Sequence, residues 1–406
     1  MRPIDLREYQ PSGPWPLSIA ERDALRDALP SVTVEPVRGE VGTYFLTPGS
    51  IVGAVEIGEL SVSIRPKLDV ARVLFLACYA MGSLRLREMD RFALQEATAL
   101  VEALAPALAV AARRAFAGGL LHGYQAEEEA LHTVRGRIRI DDQLRRRFGV
   151  PIPIEVRYDE FTDDVTANRL VKAAVVRLGR MRLRSRCSRE GLRWVAGRLE
   201  NVSLVEYPPA DVPDVSFDRL NEHYREVVAL ARLVLRHSSF ETRRGAVRAP
   251  GFLIDMSRVF QEFVTLALRE ELGVSERVLQ SADRISGVYL DDSCDVRLQP
   301  DLALWDGVRY TFVADAKYKR TESGSAANAD LYQLLAYTTA LDLPGGLLIY
   351  AGGENPAPHR VRHSGKRLEI HALDLSGTID ELLAGIRALS HRVRAVCAAP
   401  DVSRAA

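Results

Sequence analysis

The first part of the chain alternates between apolar and polar residues. Up to about residue 68, stretches such as Ile51–Ile57 and Leu60–Ile64 repeat with a period of two, and glycine and proline are frequent. This period predicts short strands that bury one face. Pro66 ends the run because proline cannot donate a hydrogen bond to a strand ladder.

The middle of the chain changes to helical spacing. Val70–Met81 is apolar enough to be buried, Gln95–Phe116 is rich in alanine, and Asn168–Leu183 places apolar residues three and four apart. Strand-like stretches near 130–140 and 152–158 interrupt these helices. The proline-rich segment Tyr207–Asp214 breaks every periodicity and predicts a linker, and a helix over Phe217–Arg236 follows it.

The last part of the chain mixes strands and helices. Asp255 is a good N-cap for a helix with apolar residues at helical spacing. Two strands, Val296–Trp305 and Tyr310–Ala316, are joined by a turn at Asp306–Gly307. Further elements are predicted at Asp330–Leu341 (helix), Gly346–Ala351 and Leu368–Leu373 (strands) and Ile379–Val396 (helix).

These patterns together predict an α/β (α+β) fold. We expect an N-terminal mixed β/α domain, a helical middle and a C-terminal α/β domain. The proline-rich linker places the division between residues 1–206 and residues 217–406.

Composition narrows the functional classes. Lys plus Arg and Asp plus Glu each number 54, so the formal net charge is zero. Nucleic-acid binding, if present, must come from local patches or from a partner. The four cysteines form no closely spaced pair, which argues against a disulfide framework or a zinc site. No signal peptide or membrane-length apolar run is visible, so we expect a cytoplasmic protein without a membrane contact.

The residues that carry chemistry lie at the two paired C-terminal strands. Pro300–Asp301 lies in the first strand, and Asp315–Ala316–Lys317 ends the second. A tight turn between adjacent strands brings Asp301 and Asp315 together, where they would repel each other unless a cation lies between them. Oxygen ligands of this kind suit magnesium or manganese. Lys317, on the same face as Asp315, can stabilise the charge that grows on a phosphate, as metal-assisted phosphodiester hydrolysis requires.

The pattern alone is weak, because a solvated strand end with a paired lysine would look the same. The apolar residues that surround these charges in the sequence favour the functional interpretation, because burying a charge that has no role costs free energy of folding. Gln333 and Tyr337 lie four apart on the next predicted helix, and thus on one face, as a supporting pair. Tyr337 by itself is equally typical of a half-buried core tyrosine.

Most of the chain resembles the McrC family, the nuclease subunit of the McrBC 5-methylcytosine-dependent restriction system. The resemblance rests on the order and spacing of several motifs, namely 53–57, Ser63–Lys67, 123–129, Val134–Ile138, Tyr158–Asp164, Asn168–Leu170, Met256–Phe260, Pro300–Asp301 and Asp315–Lys319. It implies a PD-(D/E)xK nuclease domain with Asp301, Asp315 and Lys317 as catalytic residues and Asp301 and Asp315 as metal ligands. It also implies magnesium dependence and double-stranded, methylated DNA as the substrate.

The resemblance further implies a McrB-like AAA+ partner ring that binds and hydrolyses GTP and docks on the N-terminal domain. This chain has no phosphate-binding loop, so it is not expected to hydrolyse a nucleotide by itself. One departure concerns the first core helix, where McrC-like chains have Phe-Glu and this chain has Phe260–Gln261 followed by Glu262. Glu262 is therefore left out of the catalytic set.

Two other functions remain open at this point. The first is a non-catalytic adaptor that docks on an NTPase ring and stimulates it, which retention of Asp301, Asp315 and Lys317 argues against. The second is a stand-alone DNA repair nuclease, which the long N-terminal half disfavours. The leading hypothesis is an endodeoxyribonuclease subunit of a modification-dependent (type IV) restriction complex.

Overall fold

The computed structural model describes residues 1–82, 100–148, 150–241, 248–319, 328–355 and 357–398. The chain forms two compact units, of which the first joins Met1–Leu100 to Phe240–Ala406 and the second is Val101–Ser239. The boundary predicted near the proline-rich segment falls inside the second unit. The predicted helix over Gln95–Phe116 is observed as α3 (Leu100–Ala115), and its residues 95–99 lie outside the described residues.

The N-terminal region of the first unit is built mainly from short strands, as the alternating pattern predicted. Its elements are β1 (Arg2–Arg7), β2 (Ser12–Pro16), α1 (Ile19–Ala28), β3 (Val32–Pro36), β4 (Thr43–Pro48), β5 (Ile51–Ile57), β6 (Leu60–Arg65) and α2 (Val70–Ala80). Strands β2, β4 and β3 form a small antiparallel sheet. Helix α1 begins with a capping box between Ser18 and Glu21.

A five-stranded sheet joins this region to the C-terminal part of the chain. Its order is β1-β6-β5-β11-β10, where β10 is Ser239–Glu241 and β11 is Arg248–Asp255. Gly53 permits the β5–β11 pairing, because a Cβ atom there would lie 2.0 Å from the carbonyl oxygen of Phe252. Residues 1–100 therefore belong to the same unit as residues 240–406.

The C-terminal part contains a six-stranded sheet of order β12-β13-β14-β15-β17-β16. Helix α8 (Met256–Leu272) begins at the predicted cap, where Asp255 Oδ1 accepts a hydrogen bond from the Ser257 N–H at 2.9 Å. The other elements are β12 (Leu279–Ser281), β13 (Leu302–Trp305), β14 (Tyr310–Lys317), α9 (Asn328–Ala340), β15 (Gly345–Tyr350), β16 (His359–Arg360), β17 (Arg367–Ala372) and α10 (Ile379–Ala398). Strand β13 begins after Asp301, later than predicted.

The second unit combines helices with a three-stranded antiparallel sheet of order β7-β9-β8. Besides α3, its elements are β7 (Gly123–Leu131), β8 (Arg137–Ile138), α4 (Ile140–Arg147), β9 (Ile154–Thr162), α5 (Thr166–Gly179), α6 (Arg186–Arg198) and α7 (Arg225–His237). The mixture of sheets and helices in the two units confirms the predicted α/β (α+β) class. Among the described residues, no helix combines the length and the apolar character that crossing a bilayer requires.

Candidate active site

Two carboxylates meet where β13 and β14 lie side by side. The antiparallel register pairs Leu302 with Ala314, which brings Asp301, just before β13, next to Asp315 near the end of β14. Asp301 Oδ2 accepts a hydrogen bond from the backbone N–H of Ala316 at 2.8 Å. The proximity predicted from the two strands and their short turn is therefore observed.

The surroundings of these carboxylates disfavour two negative charges. Asp315 is only 1% exposed. Burial, and then the negative charge of Asp315, raise the pKa of Asp301 to about 7. A carboxylate pair held in this way is stabilised by any cation that lies between its oxygens.

Lys317 supplies one positive charge beside the pair. Its Nζ lies 2.5 Å from Asp315 Oδ2, and its side chain is about one-quarter exposed. Burial acts to lower the pKa of Lys317, but Asp315 and Asp301 outweigh it and the net change is upward. Lys317 is therefore held as an ammonium group that can face a bound anion.

The donor set fits a hard divalent cation. Within the described part of the chain, no group of three or more His, Cys, Asp or Glu residues is arranged to hold a metal. The two carboxylates are thus the available protein ligands, and the buried Asp315 Oδ2 has the Lys317 ammonium group as an ion-pair partner but accepts no hydrogen bond of good geometry. Magnesium is commonly held by one or two carboxylates and keeps several waters for chemistry, which matches Asp301 and Asp315.

Gln333 and Tyr337 of α9 lie at the same site. Gln333 Nε2 donates to Tyr337 Oη at 2.8 Å, and Tyr337 Oη donates to the carbonyl oxygen of Gln299 at 3.1 Å. Tyr337 is buried, and burial followed by the charges of Asp315 and Asp301 raises its pKa. The pair predicted from the sequence is thus formed, and it holds the segment that leads into Asp301.

A cleft of about 550 Å³ lies between α8 and this site. Asp301 lines it together with Arg258, Gln261 and Glu262. Glu262 Oε1 accepts a hydrogen bond from Arg258 Nε at 2.8 Å. Glu262 thus reaches the cleft as one half of an ion pair.

Sequence reasoning missed a buried acid behind Lys317. Asp330, in the first turn of α9, is 6% exposed and lies 2.6 Å from the ammonium group of Lys319. The hydroxyl group of Tyr350 also donates a hydrogen bond to Asp330. Lys319 is therefore neutralised locally, whereas Lys317 faces the carboxylate pair.

Two residues of the N-terminal region also contact this end of β14. Lys67 reaches Tyr318, the residue that follows Lys317, and Glu8 binds Lys67. Lys67 belongs to a motif that the sequence singled out, but nothing in the local sequence indicated that it lies beside the site.

The sequence of the chain is similar to those of known restriction proteins. A family model described as McrBC 5-methylcytosine restriction system component matches residues 46–351. The chain is similar to the type IV methyl-directed restriction enzyme EcoKMcrBC of Escherichia coli (strain K12), with 21% identity over 317 residues that cover 74% of this chain and 91% of that protein.

Two solved structures are also similar. One is a half-complex from the tetradecameric assembly of Thermococcus gammatolerans McrB AAA+ hexamers with bound McrC, in which the matching chain is 17% identical with a TM-score of 0.58, covering 96% of this chain and 100% of that chain. The other is the Thermococcus gammatolerans McrBC complex, with 19% identity, a TM-score of 0.43, and coverage of 66% and 88%. At this identity, the first match establishes a shared fold.

Proposed function

Because the chain belongs to the family of McrBC 5-methylcytosine restriction system components, we propose that it is the magnesium-dependent endonuclease subunit of a type IV restriction complex. It cleaves double-stranded, methylated DNA when assembled with a GTP-hydrolysing AAA+ partner, and it stimulates GTP turnover by that partner. The observation that supports cleavage most directly is the meeting of Asp301, Asp315 and Lys317 at one end of the β13–β14 pair.

Each residue of this cluster has a separate chemical task. Asp301 and Asp315 would hold the divalent cation, and a cation held there would supply Lewis-acid chemistry that polarises the scissile phosphate and makes a bound water more acidic. Lys317 places its ammonium group beside the phosphate, where negative charge grows during attack. Tyr337 and Gln333 keep the segment before Asp301 in place. Manganese can replace magnesium because both accept carboxylate and water oxygens.

The AAA+ partner docks on the second unit. Helix α4 is fastened to the following segment by Gln143, whose amide group bonds to the backbone of Val150, Pro153 and Glu155. Its outer side carries apolar side chains. Ile140 and Leu144 are 65% and 59% exposed, and Phe148, at the helix end, is 90% exposed.

This α4 surface, defined as Ile140, Leu144 and Phe148, supports the docking proposal. Ile140 and Leu144 lie four residues apart and hence on one helix face. Exposed apolar patches of this kind commonly mark sites of protein association. A similar solved structure contains AAA+ hexamers with bound McrC, which supports the proposal that the partner of this chain is such a ring. The cytoplasm, where GTP and DNA are both present, is the proposed compartment.

The experiment that tests the function is reconstitution. Full-length chain, the AAA+ protein from the same restriction locus, GTP and magnesium are incubated with methylated or unmethylated DNA, and cleavage and GTP hydrolysis are measured together. We expect cleavage of methylated DNA only with all components present. GTP turnover without cleavage at any divalent cation would favour the adaptor alternative, and cleavage by the chain alone would favour the repair nuclease.

A further inference from the structure

The end of β14 is held from outside the nuclease sheet by one lysine. Lys67 Nζ donates a hydrogen bond to the backbone carbonyl oxygen of Tyr318 at 3.2 Å. The same ammonium group lies 3.7 Å from the centroid of the Tyr318 ring, within cation–π range. Tyr318 directly follows Lys317, so this contact fixes the backbone next to the lysine of the proposed active site.

Lys67 is itself fixed from the N-terminal side. Its backbone N–H donates to Glu8 Oε2 at 3.0 Å, and Glu8 is 2% exposed. Parallel pairing of β1 with β6 places Arg7 beside Arg65, so Glu8 and Lys67 emerge from neighbouring strand ends. The Lys67 ammonium group also lies 5.1 Å from the ring of Tyr9. The lysine therefore has little freedom to follow a displaced strand end.

Regular pairing of the strand stops close to this point, where the Ala351 N–H donates to the carbonyl oxygens of Lys317 and Lys319 at 3.1 and 3.0 Å. The β14–β15 ladder ends with Lys317 beside Tyr350. Beyond it the chain bends sharply, with the Lys319 N–H donating to the Lys317 carbonyl oxygen at 2.7 Å. On the other side of Tyr318, its ring meets Phe260 of α8 at 6.0 Å between centroids. Of these contacts, the one from Lys67 is charge-assisted, which makes it stronger than a neutral hydrogen bond.

We propose that Lys67 is a positioning residue for DNA cleavage, which acts by holding the Lys317–Tyr318 backbone so that the Lys317 ammonium group faces the scissile phosphate. The inference rests on the proposed nuclease function. It assigns to the N-terminal region a direct part in the chemistry of a site whose own residues all lie after residue 300. A displacement of about 1 Å at a reacting group can lower a rate by roughly a hundredfold.

The test is single-turnover cleavage by the full chain with its partner, GTP and magnesium. In Lys67→Met the cleavage rate should fall roughly ten- to hundredfold, while the DNA concentration at half-maximal rate stays unchanged. Lys67→Arg should recover most of the rate, since arginine keeps a cationic donor. The matched control is Arg65→Met, which removes the same charge two residues away from an exposed position.

A second measurement does not depend on activity. Amide hydrogen exchange in peptides that cover 315–319 should accelerate in Lys67→Met and stay unchanged in Arg65→Met. If Lys67→Met fails to fold by circular dichroism, Lys67→Gln replaces it in both measurements.

The outcomes separate the two proposals. If the wild-type complex does not cleave DNA, the proposed function fails. If it cleaves and Lys67→Met cleaves equally well, or loses apparent DNA affinity instead of rate, the positioning role is wrong. A loss of rate that Lys67→Arg does not relieve also contradicts it.

Discussion

Half-buried carboxylates occur in both units, but their surroundings are opposite. In the second unit, Asp164 accepts two hydrogen bonds at 2.8 Å from Arg169, and Ser203 donates to it from its N–H at 2.8 Å and its hydroxyl group at 2.6 Å. In the first unit, Asp301 accepts a hydrogen bond from the backbone N–H of Ala316 and lies beside another carboxylate. The hydrogen bonds around Asp164 satisfy its negative charge, whereas the negative charges of Asp301 and its neighbour call for a cation.

The pKa values express this difference. The side-chain hydrogen bond from Arg169 is the main cause that lowers the pKa of Asp164 far below its usual range, with those from Ser203 adding to it, whereas burial and Asp315 raise the pKa of Asp301. Both residues belong to motifs that the sequence singled out. The comparison indicates that the Asp164 motif is structural and that the Asp301 motif is the candidate for chemistry.

The largest expected effect is the loss of cleavage when the unsatisfied pair is altered. Asp315→Asn should lower the cleavage rate roughly a thousandfold or more, and Asp301→Asn and Lys317→Met should do the same. The fold should survive, because the changes relieve repulsion or remove a partly exposed cation. Cleavage assays with magnesium are the measurement, with circular dichroism as the folding check.

A matched control is Asp342→Asn, which changes an exposed carboxylate of the same domain. The three variants should still stimulate GTP hydrolysis by the partner, since the proposed docking surface on α4 belongs to the other unit. Full cleavage by Asp315→Asn would remove the basis of the active-site proposal.

The satisfied carboxylate should give the reverse result. Asp164→Asn leaves Arg169 without its charged partner and should lower the free energy of unfolding by roughly 2–3 kcal/mol. The cleavage rate per folded molecule should stay close to that of the wild type. Chemical denaturation and single-turnover cleavage measure the two quantities, and a variant that is fully stable but inactive would reverse the roles assigned to the two motifs.

The α4 surface should affect assembly alone. Leu144→Ser and Phe148→Ser each expose less apolar area to the partner, and each should weaken partner binding by about tenfold. Stability should change little, because both side chains are already exposed. Titration of GTP hydrolysis against chain concentration is the measurement, and Leu220→Ser, at another exposed leucine of the same unit, is the control. Equal effects of all three variants would show that the α4 surface has no special role.

The proximity of the candidate site residues could be predicted from the sequence because their geometry is local. Asp301 and Asp315 lie on two strands joined by a turn, in which Asp306 Oδ1 accepts hydrogen bonds from the Val308 and Arg309 N–H groups at 2.8 Å. Gln333 and Tyr337 are neighbours on one helix face, so their contact also follows from spacing. The structure adds contacts of Asp330 and Lys67 to this predicted arrangement and leaves the arrangement itself unchanged.

The division into units could not be predicted because it depends on long-range pairing. Strand β5 pairs with β11, although all residues of the second unit lie between the two strands in the sequence. Ser50 Oγ likewise donates to Asp255, 205 residues later in the chain. The proline-rich segment 207–214 breaks periodicity, as predicted, yet it lies within one unit. Lys67 and Glu8 were missed for the same reason, since the parallel β1–β6 pairing that brings them together has no local turn to indicate it.

The smallest expected effect is on the pH dependence of the free energy of unfolding. It concerns Glu8, a second acid of the first unit, and the direction of this dependence differs between Glu8 and Asp164. Burial raises the pKa of Glu8 from 4.5 to about 7, against the opposing effects of the Lys67 N–H, the Lys67 charge and Tyr318, while Asp255 adds to the increase. Between these pH values the folded chain keeps a proton that the unfolded chain has lost. The free energy of unfolding should therefore fall as pH rises from 4.5 to 7.

Glu8→Gln should remove this dependence. Between pH 5 and pH 8 the free energy of unfolding of the variant, relative to that of the wild type, should therefore rise by about 1 kcal/mol. This is below the limit of roughly 3 kcal/mol that the full pKa shift allows. Asp164→Asn should behave oppositely, because the stabilisation by a carboxylate with a lowered pKa is present at neutral pH and is lost only as pH falls below about 4. Urea unfolding of both variants and the wild type at a series of pH values is the measurement, and Asp5→Asn, at an exposed carboxylate of β1, the strand that precedes Glu8, is the control. Parallel pH profiles for Glu8→Gln and wild type would mean that Glu8 is charged in the folded chain, and that the first unit satisfies its acids as the second does.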